Sequence, residues 1–264
     1  MLSPFKSMGK IIIYLFALIG FVLVAGFFLV KFGITNTEGV VDEQQENFIE
    51  KSTWNEGEEW ETLKEAIIKD EVAIKQAAKN AGVPARLIAA QLVVEQLRLY
   101  HSDRELFKTI FAPLKILGNQ SQFSWGVMGI KQETAIEIES DLKDASSPFY
   151  PGKSYENLLD FKTKDHDTER FKRIVKEDDR YYSYLYASLY IKEILAQWKK
   201  AGFPIADRPE IISTLYNIGF EHSIPKVNPQ SGGAEINIGN TYYSFGSLAK
   251  DFYESNELLE NFPK

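Results

Sequence analysis

Leu63, Ile67, Ile74, Ala78 and Ala81 recur at helical spacing up to Gly82, which predicts one amphipathic helix closed by a glycine stop. Pro84 suits the first turn of a second helix, strongly apolar, that runs to about Tyr100. Beyond a loop holding Pro113, Gly118 and Asn119 comes SWGVMGIKQETAIEIESDL, whose second half, Gln132 to Leu142, reads as a short helix. Residues 143–180 are polar and punctuated and read as loop or insertion. Tyr181 to Lys200 is an aromatic-rich helix with Leu185, Ser188, Leu195 and Trp198 on one face, closed by Lys199, Lys200 and Gly202. Asp207 and Glu210 have the spacing of a capping box and open ADRPEIISTLYNIG, which ends at Gly219. Ile236-Asn237-Ile238 and Thr241-Tyr242-Tyr243 flank Gly239-Asn240 as a small hairpin, and a last helix covers roughly Ser247 to Glu260. The pattern predicts a mainly α domain with one small β-hairpin.

The front of the chain is different. Ile11 to Val30 is a run of twenty residues without a charge, and as a helix it spans about 30 Å, one hydrocarbon core. It predicts a single N-terminal transmembrane helix, retained as an anchor, because Val24-Ala25-Gly26 inside the run offers only a weak cleavage site. Lys6 and Lys10 precede the run and only Lys31 follows before a series of acids, so the positive-inside rule places residues 1–10 in the cytoplasm. The rest is expected on the extracytoplasmic side, periplasm or cell wall. From Glu38 to Glu61 nine acids stand against one base, Lys51, which describes a solvated, self-repelling tether over 31–60. Trp54 and Trp60 are expected where that tether meets the folded body, 61–264.

Composition narrows the chemistry. With 264 residues, 44% hydrophobic and 25% charged, the chain can build a full core and is neither wholly disordered nor a multi-span membrane protein. It has no cysteine, which excludes disulfides, thiolate metal sites and a cysteine nucleophile, and its three histidines make an all-histidine metal site remote. Three of the 30 basic residues and none of the 37 acids lie in residues 1–36, so the exported part carries 27 against 37, a formal −10. Nucleic acid is a poor partner for such a surface.

Within the second helix, Ile88, Leu92, Glu95 and Leu99 fall at i, i+4, i+7 and i+11, so Glu95 sits on the stripe that faces the core. A carboxyl group in apolar surroundings is what a general acid in glycoside cleavage requires. The alternative is a structural role in which Glu95 bonds Arg98, three residues on, or a backbone amide.

Three segments in order resemble the lysozyme-like fold of the lytic transglycosylases, the family that also contains goose-type lysozyme. IIKDEVAIKQAAKNAGVPARLIAAQLVVEQ is similar to the family's opening, a helix, a glycine–valine turn and a helix ending in the catalytic glutamate. Gly126-Val127-Met128-Gly129-Ile130, followed by Thr134-Ala135, is similar to its Gly-Leu-Met-Gln-Ile stretch and the Thr-Ala after it. Leu215-Tyr216-Asn217-Ile218-Gly219 matches its Ala-Tyr-Asn-x-Gly motif. The resemblance covers roughly residues 62–255. Each motif is short, and their shared order and spacing is the specific part. Gln96 stands where the family has serine, and Gly129 where it has glutamine, so the fine geometry and the substrate register are expected to differ.

The resemblance implies a peptidoglycan lytic transglycosylase, with muramidase-type hydrolysis as second choice, needing neither cofactor nor metal. Glu95 is the implied acid and then base at the bond between N-acetylmuramic acid and N-acetylglucosamine. Tyr216 directs its hydroxyl at Glu95 or the sugar. Asn217 holds backbone or ligand, Gly126 and Met128 form the cleft wall, and Gln96 donates a hydrogen bond. Tyr242, Tyr243 and Phe245 are candidates for stacking on sugar faces. Glu221 and Glu235 are the nearest candidates for a second acid, read more simply as surface acids, and Asp165-His166-Asp167 is read as solvated rather than metal-binding. The expected partners are peptidoglycan glycan strands, the membrane through residues 11–30, and proteins of an envelope complex. A rival of another class stays open: a catalytically degenerate wall-binding or scaffold module of an envelope assembly.

Overall fold

The computed structural model describes residues 54–101, 124–239 and 241–264, all within one unit, Glu50–Lys264. The predicted transmembrane helix, the cytoplasmic segment, most of the acidic tether and the loop around Pro113 lie outside the described residues. Among the described residues no helix is long and apolar enough to cross a membrane.

The stretch predicted as one helix is two, α1 (Glu58–Lys69) and α2 (Glu71–Ala81). Asp70 sits between them at φ −92, ψ 4, capping the first and opening the second. Its carboxylate accepts from Arg180 Nη1 at 2.8 Å and from the Tyr184 hydroxyl at 2.6 Å, which ties the junction to another part of the fold. Gly82 ends α2 in the left-handed conformation, and Pro84 precedes α3 (Ala85–Tyr100) in extended geometry. Two short strands, β1 (Ser124–Trp125) and β2 (Ile130–Lys131), pair antiparallel with Trp125 opposite Ile130 and lead into α4 (Gln132–Asp141).

The segment 143–180, read as loop, contains a 3₁₀ turn at Lys153–Tyr155 and a full helix, α5 (His166–Val175). Periodicity missed α5 because its buried face is made of Arg170, Arg173 and Ile174 rather than aliphatic residues. Arg170 reaches Glu139 of α4 through two bonds of 2.8 and 2.7 Å, and the Tyr186 hydroxyl donates to the same carboxylate at 2.5 Å. Asp165 caps α5 by accepting from the Thr168 amide, Asp167 pairs with Arg170, and His166 stacks on Phe161. That triplet is therefore helix capping and pairing.

α6 (Tyr181–Lys200) is the axis of the fold. It is buried nearly all round rather than on one face, from Ser183 to Ile191 and again at Glu193, Ile194, Gln197 and Trp198. The other helices explain this: α2, α7 (Pro209–Ile218), α5, α4 and α3 all pack on it. α7 starts on Pro209 with Arg208 at its cap. The predicted capping box is not formed, because Glu210 pairs with Arg208 and Asp207 is exposed. The hairpin forms as read, β3 (Glu235–Ile238) against β4 (Thr241–Ser244), with Ile236 opposite Tyr243.

α8 (Phe245–Glu254) opens with a Ser244–Ser247 capping box and ends six residues short of the expected Glu260. The cause is Arg86 of α3, fully buried, whose five N–H groups donate to the carbonyls of Phe252, Tyr253, Ser255, Glu257 and Phe262 at 2.7–3.0 Å. The chain after α8 wraps round this guanidinium, with Leu258 in the left-handed region at φ 52, instead of continuing as helix. Trp54 and Trp60, 4.9 Å apart edge to face, are buried against Phe252 of the same layer.

Candidate active site

The three segments that carry the family resemblance meet in space. α3 delivers Glu95 and Gln96, the β1–β2 turn delivers 126–129, and the C-terminal end of α7 delivers Tyr216 and Asn217. Gln96 donates through Nε2 to the Val127 carbonyl at 2.6 Å, and the Tyr216 hydroxyl donates to the Met128 carbonyl at 2.8 Å. The turn is thus held from two helices at adjacent carbonyls.

Glu95 is 4% exposed. Its Oε1 accepts from Arg98 Nη2 at 2.6 Å and its Oε2 from Arg98 Nε at 3.1 Å, so the partner named as the structural alternative is the one it has. On its other side the carboxylate lies against Gly129. A Cβ on Gly129 would stand 2.4 Å from Glu95 Oε1, and the residue has φ +66, so no side chain fits there while Glu95 keeps this position. Glycine at position 129 is therefore coupled to the placing of Glu95.

Several assignments change. The Tyr216 hydroxyl points to the Met128 carbonyl rather than to Glu95; burial first, and then the charge of Glu95, push its phenol well above the usual tyrosine range. The Met128 side chain is fully buried, so the residue supports the wall through its carbonyl and does not line it. Gly126, exposed and at φ +63, has a packing reason to be glycine, since a Cβ would meet the Ile174 carbonyl at 2.5 Å and Ser183 Oγ at 2.7 Å. Asn217 holds backbone, its Oδ1 accepting from the Ala234 amide at 2.7 Å, which ties α7 to the base of the β3–β4 hairpin. Tyr243 and Phe245 are core residues, at 8% and 0% exposure, and offer no stacking face. Tyr242 is exposed at 71% on the hairpin.

Beside this junction opens a cavity of about 610 Å³. Gly129, Tyr216 and Asn217 line it together with Lys131, Tyr190, Ile218 and three acids, Glu133, Glu137 and Glu221. Glu221 is half-buried on this wall and accepts from the Tyr190 hydroxyl at 3.0 Å, whereas Glu235 is exposed on β3. The Tyr190 and Tyr216 rings meet edge to face at 5.3 Å. Burial, and then the Glu221 charge, hold the Tyr190 phenol above its ordinary range.

Of the acids of this wall only Glu221 was read in the sequence; Glu133 and Glu137 went unread, although with Asp141 they stand at i, i+4 and i+8, one face of α4. Among the described residues no group of three histidine, aspartate or glutamate side chains is arranged to hold a metal ion. No family model, curated protein or solved structure matches the chain.

Proposed function

We propose that the chain is a membrane-anchored, lysozyme-like peptidoglycan lytic transglycosylase with Glu95 as its single acid and base. The observation that carries this is the junction itself: a buried glutamate near the end of an apolar helix, pressed on a glycine turn whose carbonyls are held by Gln96 and Tyr216, with Gly129 and Tyr216, rather than Glu95, lining the neighbouring cavity. In the reaction Glu95 gives its proton to the glycosidic oxygen as the bond to the muramic acid C1 breaks. The carboxylate then takes the proton of the sugar's own C6 hydroxyl as that oxygen closes on C1, leaving a 1,6-anhydro end. The resting ion pair occupies both oxygens, so the cycle requires the Arg98 fork to release at least one of them when the glycan seats, and that oxygen to take up a proton from water before it can give one.

The test is digestion of purified cell wall by the full chain in detergent micelles. Mass spectrometry is expected to find muropeptides ending in 1,6-anhydro-muramic acid, lighter by one water than a reducing end; reducing ends throughout would make water the acceptor and Glu221 its candidate base. The rival, a non-cleaving wall-binding module, is favoured by the closed Glu95–Arg98 pair, and binding of glycan with no muropeptide release would establish it. Anchoring by residues 11–30 predicts that protease added to cells stripped of their outer layers removes the folded part; full protection would refute that topology.

A further inference from the structure

The acidic wall of the cavity has a second layer. Glu193 of α6 is 1% exposed and, among the described residues, its Oε1 has no hydrogen-bond partner. It stands one helical turn from Tyr190, whose hydroxyl bonds Glu221, so both project from the same face of α6 toward the same wall. The charges that act on Glu193 are those of Asp141, Glu221 and Glu137. Desolvation and these mutual charges leave the carboxyls of Glu193, Glu137 and Asp141 above their ordinary range. Glu137 of α4 and Glu221 of the turn after α7 thus line the cavity beside Lys131, while Glu193 and Asp141 act on them from outside its lining. A buried carboxyl oxygen with no partner is costly, about 1–3 kcal/mol, and a wall carrying Glu133, Glu137 and Glu221 against Lys131 gains from a ligand that brings positive charge and hydrogen-bond donors.

We infer that this cavity binds a primary ammonium group on an aliphatic chain: Glu137 and Glu221 accept from the ammonium, Glu193 supports them from behind, and Tyr190, Tyr216 and Ile218 cover the chain. A free metal ion fits less well, because the acids are not gathered about one point and much of the wall is ring and aliphatic surface. Only the source of the amine, a peptide stem of the cell wall, rests on the proposed function.

Isothermal titration of the full chain in detergent micelles with 1,5-diaminopentane tests the site. The expected result is a Kd of about 1 mM or tighter, with protons released on binding, read from the dependence of the heat on buffer ionisation. 1,5-Pentanediol is expected not to bind, and Glu193→Gln and Glu221→Gln, checked for folding by thermal melting, should each weaken the diamine about tenfold or more. A lysine-containing stem muropeptide should then compete, and its ε-acetylated form should not. Equal binding of diamine and diol, no binding of either, or displacement of the diamine by calcium would overturn the inference. Diamine binding without wall cleavage would sink only the proposed function, and cleavage without diamine binding only this site.

Discussion

Glu95 and Arg98 are coupled on one helix face, with side chains 5% and 15% exposed. Removing one charge from such a pair leaves the other short of its partner, which sets the expected balance of effects for Glu95→Gln. The amide keeps the shape beside Gly129 and one acceptor for Arg98, but it can neither give nor take the catalytic proton. Wall cleavage should vanish, while stability falls by about 1–2 kcal/mol rather than rising. Muropeptide release and a denaturant melt check both halves, and retained cleavage with a large loss of stability would assign Glu95 to structure alone. The periodicity placed Glu95 in the core, and the structure agrees. What periodicity does not reveal is where an i+3 guanidinium points, or that a tyrosine hydroxyl prefers a main-chain carbonyl, since both depend on neighbours brought from elsewhere in the chain.

At the scale of elements, the segments with a clean period were legible: α3, α4, α6 and the β3–β4 hairpin stand within a few residues of their expected bounds. The errors fall where polar side chains decide. Asp70 divides a helix that its aliphatic stripe predicts whole, α5 hides its packing face in arginines, and Arg86 ends α8 by collecting carbonyls. None of these contacts lies closer than about a hundred residues in sequence for Asp70 and Arg86, so no local pattern records them. The Arg86 cage also defines the most sensitive position for the C-terminal layer. Arg86→Ala strips five carbonyls, two of them at buried bonds, of their donors and leaves the tail after Glu254 held only by its outer contacts, such as Asn55 and Lys64 to Glu257 and Asn261 to Glu71. We expect a loss on the order of 3–5 kcal/mol, with the tail becoming cleavable by a protease that spares the parent chain. Arg86→Met, which keeps the bulk, should rescue little, because the lost quantity is hydrogen bonding; near-complete rescue would show that packing alone matters.

The charge of the whole folded unit is divided between two kinds of carboxyl, and their opposite shifts shape its stability against pH. Glu169 is affected first by desolvation, which raises it, but the amides of Lys162 and Thr163, the Thr163 hydroxyl and Arg173 outweigh this and hold it at about 2. An unfolded glutamate titrates near about 4.3. As pH falls from there through about 2 the unfolded chain takes up the proton first, and the stability that Glu169 contributes is lost. Glu193, Glu137 and Asp141 behave in the opposite sense. Desolvation and mutual repulsion raise them, so above the unfolded value the unfolded chain releases protons that the folded one retains, and stability falls as pH rises toward neutrality. The two groups therefore oppose each other: the first favours the folded state above the ordinary carboxylate range and the second below it. Glu193→Gln removes the most deeply buried member of the second group. Its melting temperature should coincide with that of the parent chain below about pH 4 and exceed it by roughly 3 °C or more at pH 7, the gap opening between those values. Melts of both chains across that range decide the point. A constant gap at every pH would mean that the substitution acts through packing, and a gap that closes toward neutrality would mean that Glu193 is ionised and paired in the folded protein.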